Sequence, residues 1–231
     1  MSESYYGIRE NDIQEYKTCQ FNWDCENCSK NLCINLVAVA DLPSLYGDFK
    51  VLGFANNKDH RDHIAVVKSD VHGKENVLTR LHSSCLTGDA LGSMRCDCGA
   101  QLHTALTMME EEGLAVLLYM QQEGRGIGLV NKIKAYQLQD AGFDTYDANL
   151  HLGFEPDERD YEVSAAMLWK LGVRSTRLLT NNPDKVKQLR SYGITINSTV
   201  PLELPVHEFD EEYMRTKKER FGHQLDLEPD K

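Results

Sequence analysis

The feature of this sequence that most constrains its fold is a change of hydrophobic pattern near residue 99. Before it, short apolar runs follow one another closely, with a His72-Gly73 turn between the last two, as in antiparallel strands. These runs cover residues 36–40, 49–54, 64–67 and 77–81. After it, helical periodicity alternates with apolar strands. The sequence therefore predicts a mixed α/β fold, in which antiparallel strands come first and helices then cover a mixed sheet.

The second half of the chain also suggests its own boundaries. We predict helices over residues 101–112, 129–139, 161–171 and 183–192, and strands over 115–119 and 177–179. Asn182 is well placed to cap the last of these helices. Three parts follow: a Cys-rich N-terminal extension (1–35), a main domain (36–205) and a charged, partly helical C-terminal tail (206–231).

Charge excludes some classes of partner. The chain has 25 Lys and Arg against 36 Asp and Glu, a net charge of −11, which argues against nucleic-acid or anionic-membrane binding. A small anionic ligand remains compatible if the cations gather at one place. No apolar run approaches the ~18 residues of a membrane span, and the N-terminus lacks the apolar region of a secretory signal. We expect a cytoplasmic protein.

Three thiols in the middle of the chain carry the strongest chemical signal. Cys85, Cys96 and Cys98 lie within fourteen residues. Zinc favours thiolate ligands, and three protein ligands leave a fourth position for a water that the metal activates. The alternative is three reduced, buried cysteines. His82 is either a fourth ligand or, as we favour, a polar group lining the pocket.

Four further cysteines lie in the N-terminal extension. Cys19, Cys25, Cys28 and Cys33 form a C-x5-C-x2-C-x4-C pattern. Four thiols would close a structural zinc site with no open position. Four reduced thiols in an irregular segment are an equally weighted interpretation.

Three loops offer groups for a phosphate ligand. Residues 122–128 place three glycines and Arg125 between a strand and a helix, where backbone N–H groups can approach an anion. Residues 180–185 stand at a similar junction, and the charged loop 153–160 contains Asp157 and Arg159, suited to proton transfer and phosphate binding. Taken singly, each is also compatible with a plain connection or a solvated surface.

Several segments, in their order along the chain, together resemble one family. They are HSSCLTGDALGSMRCDCGAQL, QQEGRGIGLVNKIKAYQLQD, GFDTYDAN, LGFEPDERDY, LLTNNPDKV and YMRTKKERFGHQL. This set is similar to GTP cyclohydrolase II of riboflavin biosynthesis over about residues 47–225. Several independent motifs in one order are far more specific than any one of them.

The resemblance implies a zinc-dependent hydrolase that opens the imidazole ring of GTP. C8 leaves as formate and the terminal phosphates as pyrophosphate, giving 2,5-diamino-6-hydroxy-4-(5-phosphoribosylamino)pyrimidine, in the first step of riboflavin biosynthesis. The family also uses Mg²⁺ on the phosphates and is homodimeric, and residues 36–205 would be its catalytic domain. It also occurs fused to a dihydroxybutanone-phosphate synthase domain, for which this chain is too short, so we expect a single activity.

The resemblance also implies residue roles. Cys85, Cys96 and Cys98 would ligate the zinc. The residues that would contact GTP are Arg80, His82, Ser83, Ser84, Gln101, Glu123, Gly124, Arg125, Thr145, Thr180 and Lys185. Asp157 matches a proton acceptor, Arg159 a nucleophile at the α-phosphate, and Tyr136 a tyrosine of the ring chemistry. Because a guanidinium stays protonated in proteins, we expect Arg159 to stabilise phosphate charge instead.

One position departs from the family pattern. A glutamate commonly stands directly before the first zinc cysteine, and here it is Ser84. One alternative is therefore an enzyme that stops at the ring-opened formamide, and another is a nucleotide-binding regulator without catalysis. The retained Asp157, Arg159 and Tyr136 favour the full reaction.

Overall fold

The computed structural model describes residues 32–226, which form seven strands and seven α-helices. The strands are β1 (Ile34–Ser44), β2 (Gly47–Asn56), β3 (His63–Lys68), β4 (Val77–Ser83), β5 (Ala115–Met120), β6 (Thr176–Leu179) and β7 (Ile196–Val200). The helices are α1 (Leu86–Asp89), α2 (Cys98–Glu112), α3 (Leu129–Gln139), α4 (Thr145–His151), α5 (Glu162–Lys170), α6 (Pro183–Ser191) and α7 (Glu211–Phe221).

All seven strands belong to one sheet, in the order β1-β2-β3-β5-β4-β6-β7. The pairs β1/β2, β2/β3 and β3/β5 are antiparallel, whereas β5/β4, β4/β6 and β6/β7 are parallel. The predicted mixed α/β fold, with antiparallel strands on the N-terminal side, is thus confirmed. No helix within residues 32–226 combines the length and apolar character needed to cross a bilayer.

Helices cover both faces of the sheet. Successive strand residues point to opposite sides, so neighbours on one strand pack against different helices. In β3, Val67 packs in the apolar cluster that also contains Met167 of α5 and Leu189 of α6. Its neighbour Val66 packs in a second cluster with Met109 of α2. The sheet is therefore the middle of three layers.

The ends of several elements follow the local sequence. Gly113 ends α2 with a left-handed φ of 73°, which glycine adopts without steric cost. The Asn182 side chain accepts a hydrogen bond from the Asp184 N–H, so it caps α6 as predicted.

The N-terminal cysteines fall mostly beyond this description. Cys19, Cys25 and Cys28 lie outside the described residues. Cys33 immediately precedes β1, and its backbone N–H donates to Asn57 Oδ1 at 2.7 Å. The second zinc site therefore stays a prediction.

Candidate active site

Three parallel strands bring the site segments to one edge of the sheet. In this part of the sheet Ser83, the last residue of β4, is paired with Met120, the last residue of β5. Leu178 of β6 is paired with Thr79 of β4 in the same parallel direction. Each strand is followed by one site segment: the first thiol, the glycine turn (residues 122–128) or the loop that starts at Thr180. These segments therefore meet at the carboxyl edge, where open α/β sheets bind ligands.

The three thiols of the central motif lie close together. The sulfurs of Cys85, Cys96 and Cys98 all lie within 4.8 Å of one another, and Cys85 Sγ is 3.6 Å from Cys96 Sγ. Zinc with tetrahedral thiolate ligands at about 2.3 Å requires sulfur–sulfur distances of about 3.8 Å. The donor set and its spacing therefore fit a zinc ion. Among the described residues, this trio is the group whose ligand atoms can hold a metal.

Two glycines allow the thiols to approach. A Cβ on Gly88 of α1 would lie 3.1 Å from both Cys85 Sγ and Cys96 Sγ. A Cβ on Gly99, at the start of α2, would lie 2.2 Å from the carbonyl oxygen of Gly88. The close packing of α1 on α2 therefore depends on both positions having no side chain.

The thiol cluster has an ammonium group beside it. Lys132 Nζ, on α3, donates to Cys85 Sγ at 3.0 Å and to Glu123 Oε1 at 2.7 Å. Hydrogen bonds from Cys96, Cys98 and Lys132 lower the pKa of Cys85, and the neighbouring Cys85 in turn raises the pKa of Cys96 to about 11. One thiolate is thus favoured, and three ionised thiols need further positive charge among them, which a divalent metal supplies.

His82 is held away from the sulfurs. Its Nε2 lies 3.0 Å from both carboxylate oxygens of Asp89, and its ring stacks on Tyr119, which donates to the same carboxylate. Asp89 also accepts the backbone N–H of Cys85. His82 therefore lies in a polar network beneath the first thiol, as the sequence interpretation favoured, and is not part of the metal-capable group.

One pocket contains nearly every residue predicted for the site. Its volume is about 1100 Å³, counted out to the solvent at its mouth. The predicted residues that line it are Arg80, His82, Ser83, Ser84, Cys85, Cys96, Cys98, Gln101, Glu123, Gly124, Arg125, Tyr136, Thr145, Arg159, Thr180 and Lys185. Asp157 is not among the lining residues.

The pocket gathers positive charge in an otherwise acidic chain. Its lining includes a single carboxylate, Glu123, and seven cations: Arg80, Arg95, Arg125, Lys132, Arg159, Lys185 and Lys217. The whole chain carries a net charge of −11. The cations therefore gather at one place, which is the condition for a small anionic ligand to bind an acidic chain.

Neighbouring positive charge disfavours the charged forms of two titratable groups near the sheet edge. Lys185 Nζ donates to the carbonyl oxygen of Leu81 at 2.8 Å, and burial together with Arg80 and Arg159 lowers the pKa of Lys185. Burial, Lys217 and Lys185 likewise lower the pKa of His223 to about 2. A bound polyanion would stabilise these groups in their charged forms.

Arg159, by contrast, is paired with a carboxylate. Its Nε donates to Asp157 Oδ1 at 2.8 Å, and its Nη2 donates to the other carboxylate oxygen. Burial alone would lower the pKa of Arg159, but the neighbouring Tyr161 and the charge and hydrogen bonds of Asp157 together outweigh burial, and the pKa of Arg159 is raised. Asp157 therefore orients a permanently charged guanidinium whose Nη1 points to Ser83 Oγ at 3.5 Å.

The glycine turn and Tyr136 are each held by a contact with a residue from another segment. Arg125 has a left-handed φ of 58°, and its guanidinium packs 4.2 Å from the ring centre of Phe221. The Tyr136 hydroxyl lies 3.1 Å from Thr87 Oγ1, which is 3.7 Å from Cys85 Sγ. Tyr136 thus stands one hydroxyl away from the thiol cluster.

Three polar atoms of residues that line the pocket are buried without a hydrogen-bond partner. They are Ser84 Oγ, Arg80 Nε and Gln122 Oε1. A buried polar atom left unpaired costs free energy, so such atoms are expected where a ligand completes the bonding.

Sequence reasoning did not assign a role to several residues of the lining, among them Lys132, Asn181, Tyr213, Lys217 and His223. Lys132 was within reach, because it precedes Tyr136 by four residues on a predicted helix and so shares its face. Tyr213, Lys217 and His223 come from α7 and the residues after it, and the charged pattern of that segment gives no sign of burial.

The fold and site together define a class: an α/β protein with three clustered thiols that could hold a metal, beside a cationic pocket. The GTP cyclohydrolase II family model matches residues 35–201. A riboflavin biosynthesis protein RibBA from Bacillus cereus (strain B4264) is 46% identical, covering 88% of this chain and 56% of the relative. RibBA from Bacillus cytotoxicus is 52% identical, covering 80% of this chain and 47% of the relative. The chain belongs to the GTP cyclohydrolase II family.

The extent of these similarities differs. The chain spans about half the length of the curated relatives that it matches. Among solved structures, the two-domain 3,4-dihydroxy-2-butanone 4-phosphate synthase RibBX from A. baumannii is 18% identical with a TM-score of 0.40, covering 72% of this chain and 40% of that one.

Proposed function

We propose that this chain hydrolyses GTP, opening the imidazole ring and releasing formate and pyrophosphate. The product would be 2,5-diamino-6-hydroxy-4-(5-phosphoribosylamino)pyrimidine. The observation that carries the proposal is one pocket that contains three clustered thiols together with seven cations and one carboxylate. A purine nucleoside triphosphate has a ring carbon that a metal-activated water can attack and a phosphate chain that the cations can bind.

Cys85, Cys96 and Cys98 would hold a zinc ion, since their sulfurs have the required spacing. Zinc in a three-ligand site supplies an activated water near neutral pH. The role of Lys132 is to donate to the Cys85 sulfur and to Glu123 together. It thereby fixes the orientation of one ligand and connects the thiol cluster to the glycine turn.

Arg125, Arg159 and Lys185 would bind the phosphates. Asp157 holds the Arg159 guanidinium through two hydrogen bonds, which leaves Nη1 free of this carboxylate and facing the pocket. Since Arg159 keeps its proton, it would stabilise charge on the leaving phosphates and would not attack them. Asp157 would act through Arg159 or accept a proton once substrate is bound.

Gln101, Thr145 and Thr180 remain proposed contacts to the nucleotide, as do Arg80 and the residues from His82 to Ser84. Tyr136 would take part in the ring chemistry from its position beside Thr87. Ser84 fits a ligand-binding role because its hydroxyl is buried and unpaired. It would offer a neutral hydroxyl where the family commonly has a carboxylate.

Further elements of the proposal rest on the family resemblance. We propose Mg²⁺ with the substrate phosphates, a homodimer, a cytoplasmic location and a place in riboflavin biosynthesis, which the names of the relatives also mention. The N-terminal cysteines would form a separate structural zinc site, and residues 36–205 the catalytic domain.

Product analysis tests this function. The purified chain is incubated with GTP, Zn²⁺ and Mg²⁺, and formate, pyrophosphate and nucleotide products are quantified together. We expect formate and pyrophosphate in equal amounts, and no formate from Cys96→Ser. Accumulation of a ring-opened formamide without formate would contradict the full reaction, and unchanged GTP would contradict the family activity for this chain.

A further inference from the structure

Helix α7 and the residues just beyond it contact all three site segments that follow the parallel strands. Lys217 reaches the turn between Cys96 and Cys98, and Phe221 packs on Arg125 of the glycine turn. Just beyond the helix, the Gln224 N–H donates to the carbonyl oxygen of Asn181 at 2.9 Å. This helix lies after residues 35–201, which the family model matches, yet it connects the parts of the pocket.

The turn between Cys96 and Cys98, here called the metal turn, is contacted through a buried ion pair. Lys217 Nζ lies 2.5 Å from Asp97 Oδ1, and the two side chains are only 9% and 4% exposed. Asp97 is the residue between the second and third thiols. In so short a turn, the position of this carboxylate fixes the backbone that presents both sulfurs.

Both oxygens of the Asp97 carboxylate accept hydrogen bonds from other side chains. Asp97 occupies the N-cap position of α2, but its side chain does not cap the helix. Its second oxygen instead accepts from Gln101 Nε2 at 2.6 Å, and Gln101 Oε1 accepts from Arg80 Nη2 at 2.6 Å. The turn is therefore held between Lys217 on one side and the Gln101–Arg80 network on the other.

Loss of the ammonium group would leave a buried carboxylate with one neutral donor. Such a carboxylate is strongly destabilised unless it rotates toward water. That rotation moves the turn that carries the second and third thiols. Groups that orient metal ligands from outside typically change metal affinity about 10–100-fold when they are removed.

We propose that Lys217 is a positioning residue, which fixes the thiols of Cys96 and Cys98 through Asp97. This inference rests on the proposed zinc site. It makes α7 part of the active-site architecture, so that the metal turn is set by a side chain 120 residues further along the chain.

The test compares Lys217→Met with Lys218→Met, which removes an equivalent charge from an exposed position of the same helix. The zinc dissociation constant is measured by chelator competition at 25 °C, with the four N-terminal cysteines replaced by serine in every protein. We expect Lys217→Met to bind zinc about 10–100-fold more weakly than the parent, and Lys218→Met to stay within about twofold. Thermal unfolding of the metal-free proteins separates a general loss of stability from a change at the metal turn.

Two further variants keep the inference testable. Asp97→Asn removes the same ion pair from its other side, and it replaces Lys217→Met if that variant does not fold. If Lys217 acts through Asp97, the double variant binds zinc no more weakly, within about twofold, than the weaker single variant. Parent-like zinc affinity in Lys217→Met, or effects that multiply in the double variant, would overturn the inference.

A readout without metal distinguishes this failure from failure of the proposed function. Amide hydrogen exchange over residues 93–98 is measured in the metal-free proteins. We expect faster exchange in Lys217→Met than in Lys218→Met, and equal exchange would contradict the positioning role. If the parent binds no zinc, the proposed function fails, while the exchange comparison still decides whether Lys217 orders the turn.

Discussion

Replacement of Gly88 by alanine gives a sharp test of the thiol geometry. Gly88 is buried within α1, and an added Cβ would lie 3.1 Å from the sulfurs of Cys85 and Cys96 and 3.2 Å from the Cβ of Cys98. Because Gly88 has helical backbone, alanine strains no dihedral angle there and even favours the helix. The effect of the substitution is therefore a steric one on the three ligands.

The expected magnitude follows from overpacking. Contacts this short require the sulfurs to move by a few tenths of an ångström, and forcing extra carbon into a packed site costs about 1–3 kcal/mol. In the metal-free protein the cysteine side chains can turn away and relieve much of this strain. A metal fixes all three sulfurs at once, so the cost falls mainly on binding and weakens zinc affinity about 5–150-fold.

The assay measures zinc dissociation constants by chelator competition and denaturant unfolding of the metal-free protein. Gly53→Ala is the matched control, since its new methyl group would lie an ordinary 3.5 Å from the nearest side-chain atom. We expect Gly88→Ala to lose zinc affinity while its metal-free stability stays within about 1 kcal/mol of the parent. Zinc binding equal to that of Gly53→Ala in a folded protein would refute the arrangement of sulfurs around this glycine.

Three other predictions follow from the same site. Lys132→Met should weaken zinc binding about 10-fold, measured by chelator competition, because one thiol loses a charged donor. Asp157→Asn should lower the free energy of unfolding in urea by about 1–3 kcal/mol, since Arg159 is left without a charged partner and Asp157 is itself partly exposed. The free energy of unfolding should fall between pH 7.5 and 5.5, because burial lowers the pKa of His63, His82 and His223. The contribution of His63, whose Nδ1 accepts the Gln121 N–H at 3.1 Å, is the one that a substitution tests.

The sign of the pH effect follows from proton uptake. A histidine whose pKa is lowered by folding binds fewer protons in the folded state, so acid favours unfolding near its ordinary pKa of about 6.5. His63→Gln is the control and should show a weaker pH dependence. An equal dependence in that variant would contradict the assignment to His63. Parent-like zinc affinity in Lys132→Met, or parent-like stability in Asp157→Asn, would contradict the other two predictions.

Much of the fold could be predicted because buried positions appear in the sequence as apolar runs and as apolar residues at helical spacing. Short apolar runs marked β2 and β3, and helical spacing with a final glycine marked α2. Strand β7 was missed because its sequence, INSTV, is mostly polar and exposed at the edge of the sheet. The seven-residue α4 was missed because its single capping signal, Asp144, stands before too short a helix for the periodicity to show.

The site was predictable where a motif names its residues, and not where tertiary packing decides their role. Thiols and glycines are recognisable by type and spacing. Lys217 and Lys218 are adjacent in one charged helix, and only the packing of α7 makes the first buried and the second exposed. Gly88 likewise reads as an ordinary helical glycine until the sulfurs around it are placed.

The most direct test of the account is a zinc titration of the metal-free chain that follows formate release from GTP. Serine replaces the four N-terminal cysteines, so that only the central trio can bind the metal. We expect activity to rise in proportion to added zinc, to level off at one equivalent per chain, and to stay at background in Cys96→Ser. Formate release that is independent of zinc, or unchanged in Cys96→Ser, would contradict it.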